Sequence, residues 1–291
     1  MYAIMRTEKH HTMGEIAAMG KHSERTRDTP NADPERLADN VRLVGTGDWV
    51  ADAQVRAYLV EGRDIPRGMI DELHARGTLY ADSRSNAVFL RTDAEGQAVG
   101  ASLRGTTPGS EFQGLAYGSR REEGHFSYSM TVGRPEPYDT PQYHVVESPI
   151  DAVSRAALIQ RAGERGEYVF LSNDGHGDLP RRQIEEGLAR QSLIHCSFDN
   201  DAGSATLWEQ VKEVYPRAEA IERERPPSRA KDWNDALRAQ GRTEERTEER
   251  TEERTEERTE EREPSQEHGP GRGGGMGAGG SERDDTPGRS Y

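Results

Sequence analysis

YHVVESPIDAVSRAALIQRA (143–162) decides the architecture. Tyr143 to Glu147 is an apolar run of the buried-strand type, and Ser148-Pro149 turns the chain into a helix. Ile150, Val153, Ala157 and Leu158 then share one face along 149–162. The rhythm continues downstream. YVFLS (168–172) predicts a second strand, 180–190 a helix, LIHCSFD (193–199) a third strand and 204–214 another helix, with a short strand at Ala218–Ile221. Strands alternating with helices predict an α/β unit with a mostly parallel sheet, each crossover helix covering one sheet face.

Upstream the pattern changes. Val55, Tyr58 and Leu59 predict a helix stopped at Gly62, and Ile65-Pro66 opens a second with Met69, Ile70 and Leu73 inward and Gly77 at its end. Residues 79–132 read as β-rich, with a hairpin turn at Asp93–Gly96 and further strands over Glu111–Tyr117 and His125–Met130. Residues 138–141 read as a linker. This gives a small helical/β domain at 51–138, an α/β domain at 139–240, a polar leader at 1–50 and a tail at 241–291. In the leader only a strand at Tyr2–Met5 and a short helix near 13–20 are expected.

Composition agrees with a partly unfolded chain. Only 32% of the 291 residues are hydrophobic, far below an ordinary globular domain. The tail accounts for part of this: residues 243–262 are five copies of Thr-Glu-Glu-Arg, followed by a Gly-rich run. Period four brings Glu and Arg together at i,i+3 and i,i+4, but no apolar stripe is present, so disorder or a lone charged helix is expected. From Gly241 on there are 9 Arg against 15 Asp and Glu, which supplies six of the fourteen net negative charges. No apolar run suits a membrane span, the start lacks the apolar core of a secretory signal, and Cys196 is the single cysteine. A cytoplasmic protein without a disulfide framework or a four-cysteine zinc ribbon is expected. Cys196 itself reads as packed in the sheet.

Ligands of parallel α/β sheets bind at the carboxyl ends of the strands. Glu147 ends the first strand of the α/β unit, and Asp199 and Asp201 end the third, in FDND. Carboxylates gathered at one edge repel one another unless a hard cation sits among them, and Mg²⁺ with its preference for oxygen ligands suits them. The same residues also read as a helix cap and an Asx turn. The loop Ser172–Gly177 offers backbone N–H groups to a phosphate.

HVVESPIDAVS (144–154) resembles the first motif of the Toprim fold, FDND (198–201) its Asp-x-Asp motif, and KDWND (231–235) the segment near the end of primase-type Toprim domains. The resemblance covers about 139–240. It implies enzymes that handle nucleic-acid phosphodiesters, with Mg²⁺ or Mn²⁺ held by Asp199, Asp201 and Glu147. Glu147 would otherwise serve as general acid/base, Lys231 would neutralise phosphate, and Asp235 would tie down its loop. The family usually runs Asp-x-Asp-x-Ala-Gly, whereas Asp201-Ala202-Gly203 is one residue shorter.

RDIPRGMIDELHARGTLYAD (63–82) and NAVFLRTDAEGQAVGASLRG (86–105) resemble the uncharacterised domain commonly found before plasmid- and phage-type Toprim modules. Arg84, Arg91, Arg104, Arg120 and Arg121 on this piece read either as a phosphate-facing strip or as ordinary solvated surface. Residues 2–40 resemble the start of Pre/Mob-type plasmid mobilisation relaxases. His22 and Arg25 in KHSER (21–25) match the early His-x-x-Arg motif, and Asn31, Asp33 and Asn40 match the next. The relaxase histidine metal motif, His-x-Asp-Glu followed by Pro-His-x-His, does not occur, so nothing there would polarise a scissile phosphate.

The resulting expectation is a Mg²⁺-dependent protein, primase- or nickase-like, acting on single-stranded or nicked DNA or on RNA in plasmid replication, mobilisation or recombination. Plasmid replication or mobilisation proteins are the expected partners. The rival is a non-catalytic DNA-binding accessory of a mobile element with a degenerate Toprim module.

Overall fold

Every helix signal at the Ser148-Pro149 turn is used. Ser148 Oγ caps the helix by accepting the Asp151 N–H, Pro149 occupies the first turn, and Gly163 ends it in the left-handed region at φ 67°. In this computed structural model, residues 53–136, 139–175 and 179–260 are described. The expectations for 1–52, His22 and Arg25 included, lie outside them, as do His176 and Gly177 of the glycine loop and everything past residue 260.

Helix α1 (Ala53–Ala57) runs into a π turn (Tyr58–Gly62), and α2 is Arg67–Ala75. Strands β1 (Leu79–Ala81), β2 (Ala87–Thr92), β3 (Ala98–Arg104) and β4 (Gln113–Leu115) form an antiparallel sheet in that order. The Asp93–Gly96 turn joins β2 to β3 as expected, with Asp93 Oδ1 accepting from the Glu95 and Gln97 N–H groups and Gly96 at φ 77°. Strand β4 is shorter than the expected 111–117, and Phe112 and Tyr117 on either side of it are exposed.

The second sheet comprises β5 (Phe126–Val132), β6 (Gln142–Val146), β7 (Gly166–Ser172), β8 (Ile194–Ser197) and β9 (Ile221–Glu224). Their order is β5-β7-β6-β8-β9, all parallel but for β5, which runs antiparallel to β7. Thus β5, upstream of the 138–141 linker, is an edge strand of the α/β sheet. The last strand lies at 221–224 rather than the expected 218–221. Its sequence IERE hides it, because Glu222 and Glu224 point at His195 and His144 instead of at apolar neighbours.

Helices α3 (Pro149–Ala162), α4 (Arg181–Ala189) and α5 (Ala202–Val214) are the crossovers. One core cluster joins α1, α2 and the first sheet to α3 and β5–β7, through Leu59, Ile70, Phe89, Phe126, Val153 and Phe170. A second, with Val145, Leu171, Ile184, Cys196 and Leu207, fills the opposite sheet face under α4 and α5. Cys196 is fully buried and burial pushes its thiol up to about 12, so it packs as a small apolar side chain. Residues 53–244 pack as one unit. Helix α6 (Trp233–Glu260) begins in the KDWND segment, where no helix was expected, and runs through most of the Thr-Glu-Glu-Arg copies. No helix among the described residues is long and apolar enough to cross a membrane.

Candidate functional site

Three chain segments meet at the carboxyl edge of β6 and β8. Glu147 follows β6 directly and is 7% exposed. Its Oε1 accepts from the Asp199 N–H at 3.1 Å, so residues 52 apart in sequence are joined by one side chain. The Ser204 hydroxyl lies 2.5 Å from Glu147 Oε1 and 2.8 Å from Asp201 Oδ1. A hydroxyl has one proton to donate, so it serves only one of these carboxylates at a time.

Asp201 is the N-cap of α5, accepting the Ser204 N–H at 2.8 Å. The helix starts at Ala202, directly after its cap. The alternative reading, with Glu147 as a helix cap and Asp199 and Asp201 in an Asx turn, is corrected in its cap: Ser148, not Glu147, caps α3, and Asp201 caps α5.

Asp199 is the electrostatic centre. Burial, then the neighbouring carboxylates of Asp151, Glu147, Asp232 and Asp201, hold its carboxyl far above the ordinary range, and its Oδ1 is buried with no hydrogen-bond partner among the described residues. Asp151, fully inside the first turn of α3, is likewise raised by burial and by Asp232, against the pull of the Ser148 hydroxyl and the Asn234 N–H. A half-buried carboxylate whose inner oxygen is an orphan, in the field of four others, lacks positive charge, and oxygen donors of this kind fit a hard divalent cation.

Asp151 and Asp232 were not singled out from the sequence as site residues. Both sat inside quoted motifs, and a carboxylate in a helix's first turn reads first as a cap. Asp232 does cap α6, accepting the Asp235 N–H at 2.7 Å, so Asp232 and not Asp235 ties this turn. The two acidic loops are also fastened together. The Asn200 N–H donates to Lys231 O at 2.8 Å, and its Nδ2 donates to the carbonyls of Ala230 and Pro226 at 2.8 and 3.0 Å. Lys231 is exposed at this junction. Asn234, 2% exposed, donates to Arg63 O and Ser154 Oγ, and so anchors the start of α6 to the first domain and to α3.

The arginine strip does not form as one surface. Arg91 is 1% exposed and pairs with Asp174 while donating to the Arg121 and Gly124 carbonyls, so it faces the interior and not a phosphate. It lies on the inward face of β2, and only a buried acid makes such a position tolerable for a cation. Arg104 donates to Tyr58 Oη and Gln113 Oε1, Arg120 pairs with Glu123 at 2.7 Å, and Arg121 donates to Asp174 O at 3.2 Å; these three are half-buried.

Among the described residues, His144, His195 and Glu224 bring one ligand atom each within 4.8 Å of the others. Their geometry is that of a polar core network. The two rings stack at 4.4 Å and 7°, His144 Nδ1 faces Ser197 Oγ and Glu224, His195 faces Glu222 and Gln142, and Arg155 is bidentate on Glu224. Parallel rings aim their lone pairs alongside each other rather than at one ion.

Residues 144–237 match the family model described as Toprim-like, and residues 57–132 the model described as a protein of unknown function (DUF3991). Over 168 residues the chain is 32% identical to a 65 kDa protein of Zymomonas mobilis subsp. mobilis, covering 55% of this chain and 28% of that one. Over 214 residues it is 26% identical to an uncharacterized protein of Bacillus anthracis, covering 66% of this chain and 59% of the other. The chain thus spans less than two thirds of either relative, 28% of one and 59% of the other. Among solved structures it is similar to the DnaG catalytic core (15% identity, TM-score 0.47, 75% of this chain and 80% of that one). It is also similar to the primase fragment of the bacteriophage T7 primase-helicase (17%, TM-score 0.43, 65% and 72%). The chain therefore carries a Toprim-like α/β domain preceded by a smaller domain of the DUF3991 family.

Proposed function

We propose that this chain is a divalent-cation-dependent enzyme acting on nucleic-acid phosphodiesters, primase-like in its chemistry, in the cytoplasm. One observation carries the reading: half-buried Asp199 has a buried Oδ1 with no hydrogen-bond partner among the described residues, and it feels the charge of four other carboxylates. Asp199, Asp201 and Glu147 would hold Mg²⁺, or Mn²⁺ in its place. When bound, the cation supplies charge neutralisation at the phosphoryl oxygens. Glu147, held by the Asp199 N–H and the Ser204 hydroxyl, is oriented to accept or return a proton at the edge of β6. Lys231 stands exposed on the loop gripped by Asn200, available to a phosphate. The likeness of residues 2–40 to Pre/Mob relaxases supports a setting in plasmid replication or mobilisation, with DNA or RNA as partner.

A second reading, a non-catalytic DNA-binding accessory, is favoured by the engagement of Asp201 Oδ1 as a helix cap. One experiment separates them: Mn²⁺ binding, and cleavage or extension of single-stranded DNA, by wild type and by Asp199→Ala/Asp201→Ala. The enzyme reading expects wild type to bind the ion and process the strand and the variant to do neither. DNA binding by a wild type that takes up no ion and processes no strand supports the accessory.

A further inference from the structure

Asn173 is the first residue beyond β7 and is 2% exposed, yet neither its amide nitrogen nor its amide oxygen has a hydrogen-bond partner among the described residues. A buried carboxamide with both ends unpaired is costly to fold, and native chains rarely keep one that nothing will satisfy.

Its position says what can satisfy it. Val169 and Leu171 of β7 and Tyr143 and Val145 of β6 pack on the same sheet face. Alternation along the strands therefore puts Asn173 and Glu147 on that face, at the ends of adjacent strands. The backbone confirms their proximity: the Asn173 N–H donates to Val146 O at 2.9 Å and the Gly175 N–H to Glu147 O at 2.8 Å.

The turn carrying Asn173 is held from outside the α/β domain. Asp174 sits at φ 54°, in the left-handed region that few residues other than glycine adopt and that aspartate tolerates better than most. Its carboxylate is paired to buried Arg91 of β2 and accepts from Ser102 Oγ of β3 and Ser172 Oγ, while its carbonyl accepts from Arg121. Arg91 reaches its second anchor, the Gly124 carbonyl, where a Cβ would lie 2.3 Å from Thr92 O.

We propose that Asn173 contacts substrate: its amide N–H donates to a phosphate oxygen of a bound nucleotide, and Arg91–Asp174 is the positioning device by which the preceding domain fixes it. The inference rests on the nucleotide-handling reading above. Ionised phosphate oxygens only accept hydrogen bonds, and the carboxylates at this edge, once ionised around a cation, only accept as well. A neutral donor beside Glu147 supplies the complementary group without competing for the cation.

The test uses the full chain, with a nucleoside triphosphate and Mn²⁺ as probes in calorimetric titration. Asn173→Leu, similar in size and unable to hydrogen-bond, should weaken nucleotide binding about ten- to a hundredfold while leaving affinity for Mn²⁺ alone unchanged. Its ligand-free melting temperature should stay or rise, since no partner is lost. Asp174→Asn, which weakens the clamp, should lower nucleotide affinity with the same indifference to Mn²⁺. If wild type takes up both probes and Asn173→Leu binds nucleotide equally well, or only melts lower, this proposal alone is overturned. If wild type takes up neither, the reading beneath it is overturned, and this one with it.

Discussion

The Asp199 N–H donates to Glu147 Oε1 at 3.1 Å, so the loop after β8 is fastened to the end of β6 by the very carboxylate expected to act in the site. Glu147 is thus both a chemical group and a structural pin, and two substitutions separate the roles. Glu147→Gln keeps an oxygen for the Asp199 N–H and should preserve stability while lowering Mn²⁺ affinity and any strand processing. Glu147→Ala leaves that N–H and the Ser204 hydroxyl without this acceptor and should cost about 1–3 kcal/mol as well. Urea denaturation of both variants measures the difference.

Asp199 stores repulsion that a cation would relieve. Burial and its acidic neighbours raise its folded pKa above the ordinary 3.8, so the folded state holds that proton more tightly than the unfolded chain. Metal-free stability contributed by this group therefore falls as pH rises from about 4 toward its raised value. Asp199→Asn should raise the metal-free melting temperature at pH 8, by about 2–4 °C for each kcal/mol of repulsion removed. Mn²⁺ should raise the melting temperature of wild type but not of the variant. A variant that melts below wild type in chelator would count against this account.

His144 gives the opposite slope in a lower window. Burial lowers its pKa from 6.5 to about 4, overriding the raising effect of Glu224, so the unfolded chain takes up a proton there that the folded protein refuses. Its contribution is complete above about pH 6.5 and is lost as pH falls from 6.5 toward 4. Glu224, held down to about 2 by His144, Arg155 and Ser197 against its own burial, keeps its charge throughout that window. His144→Asn should flatten the decline of melting temperature between pH 6.5 and 4.5 relative to wild type.

Arg91 should behave as a core residue. Arg91→Met leaves Asp174 charged and unpaired in the interior and should destabilise by about 3–5 kcal/mol. Arg120→Ala removes only a partly exposed pair with Glu123 and should cost at most about 1 kcal/mol. Similar small losses for both would mean that Arg91 is solvated.

The strand–helix rhythm from Tyr143 to Val214 was legible because its elements carry local signals: apolar runs for β6, β7 and β8, and the Ser148-Pro149 turn into α3. Strand β9 was displaced by three residues because its glutamates satisfy buried His144 and half-buried His195, and charge in a strand defeats hydrophobic patterning. Glu147, Asp199 and Asp201 could be named from position alone, since strand ends after apolar runs define the ligand edge of such a sheet. Asp151 and Asp232 could not be weighed in the same way. Their effect on Asp199 is through space, and each has a local role at a helix start: Asp151 accepts the hydroxyl of the Ser148 cap, and Asp232 caps α6.

By itself the sequence determined the parallel α/β core, the hairpin at Asp93–Gly96 and the acidic edge, because local propensity, capping and periodicity act over a few residues. The tertiary structure alone decided that β5 pairs with β7 across the linker, that Arg91 is buried against Asp174, and that Asn173 is left unpaired beside Glu147. Each depends on groups far apart in the chain meeting in a low-dielectric interior. Burial and charge there are properties of the packed ensemble of neighbours, and no local pattern encodes them.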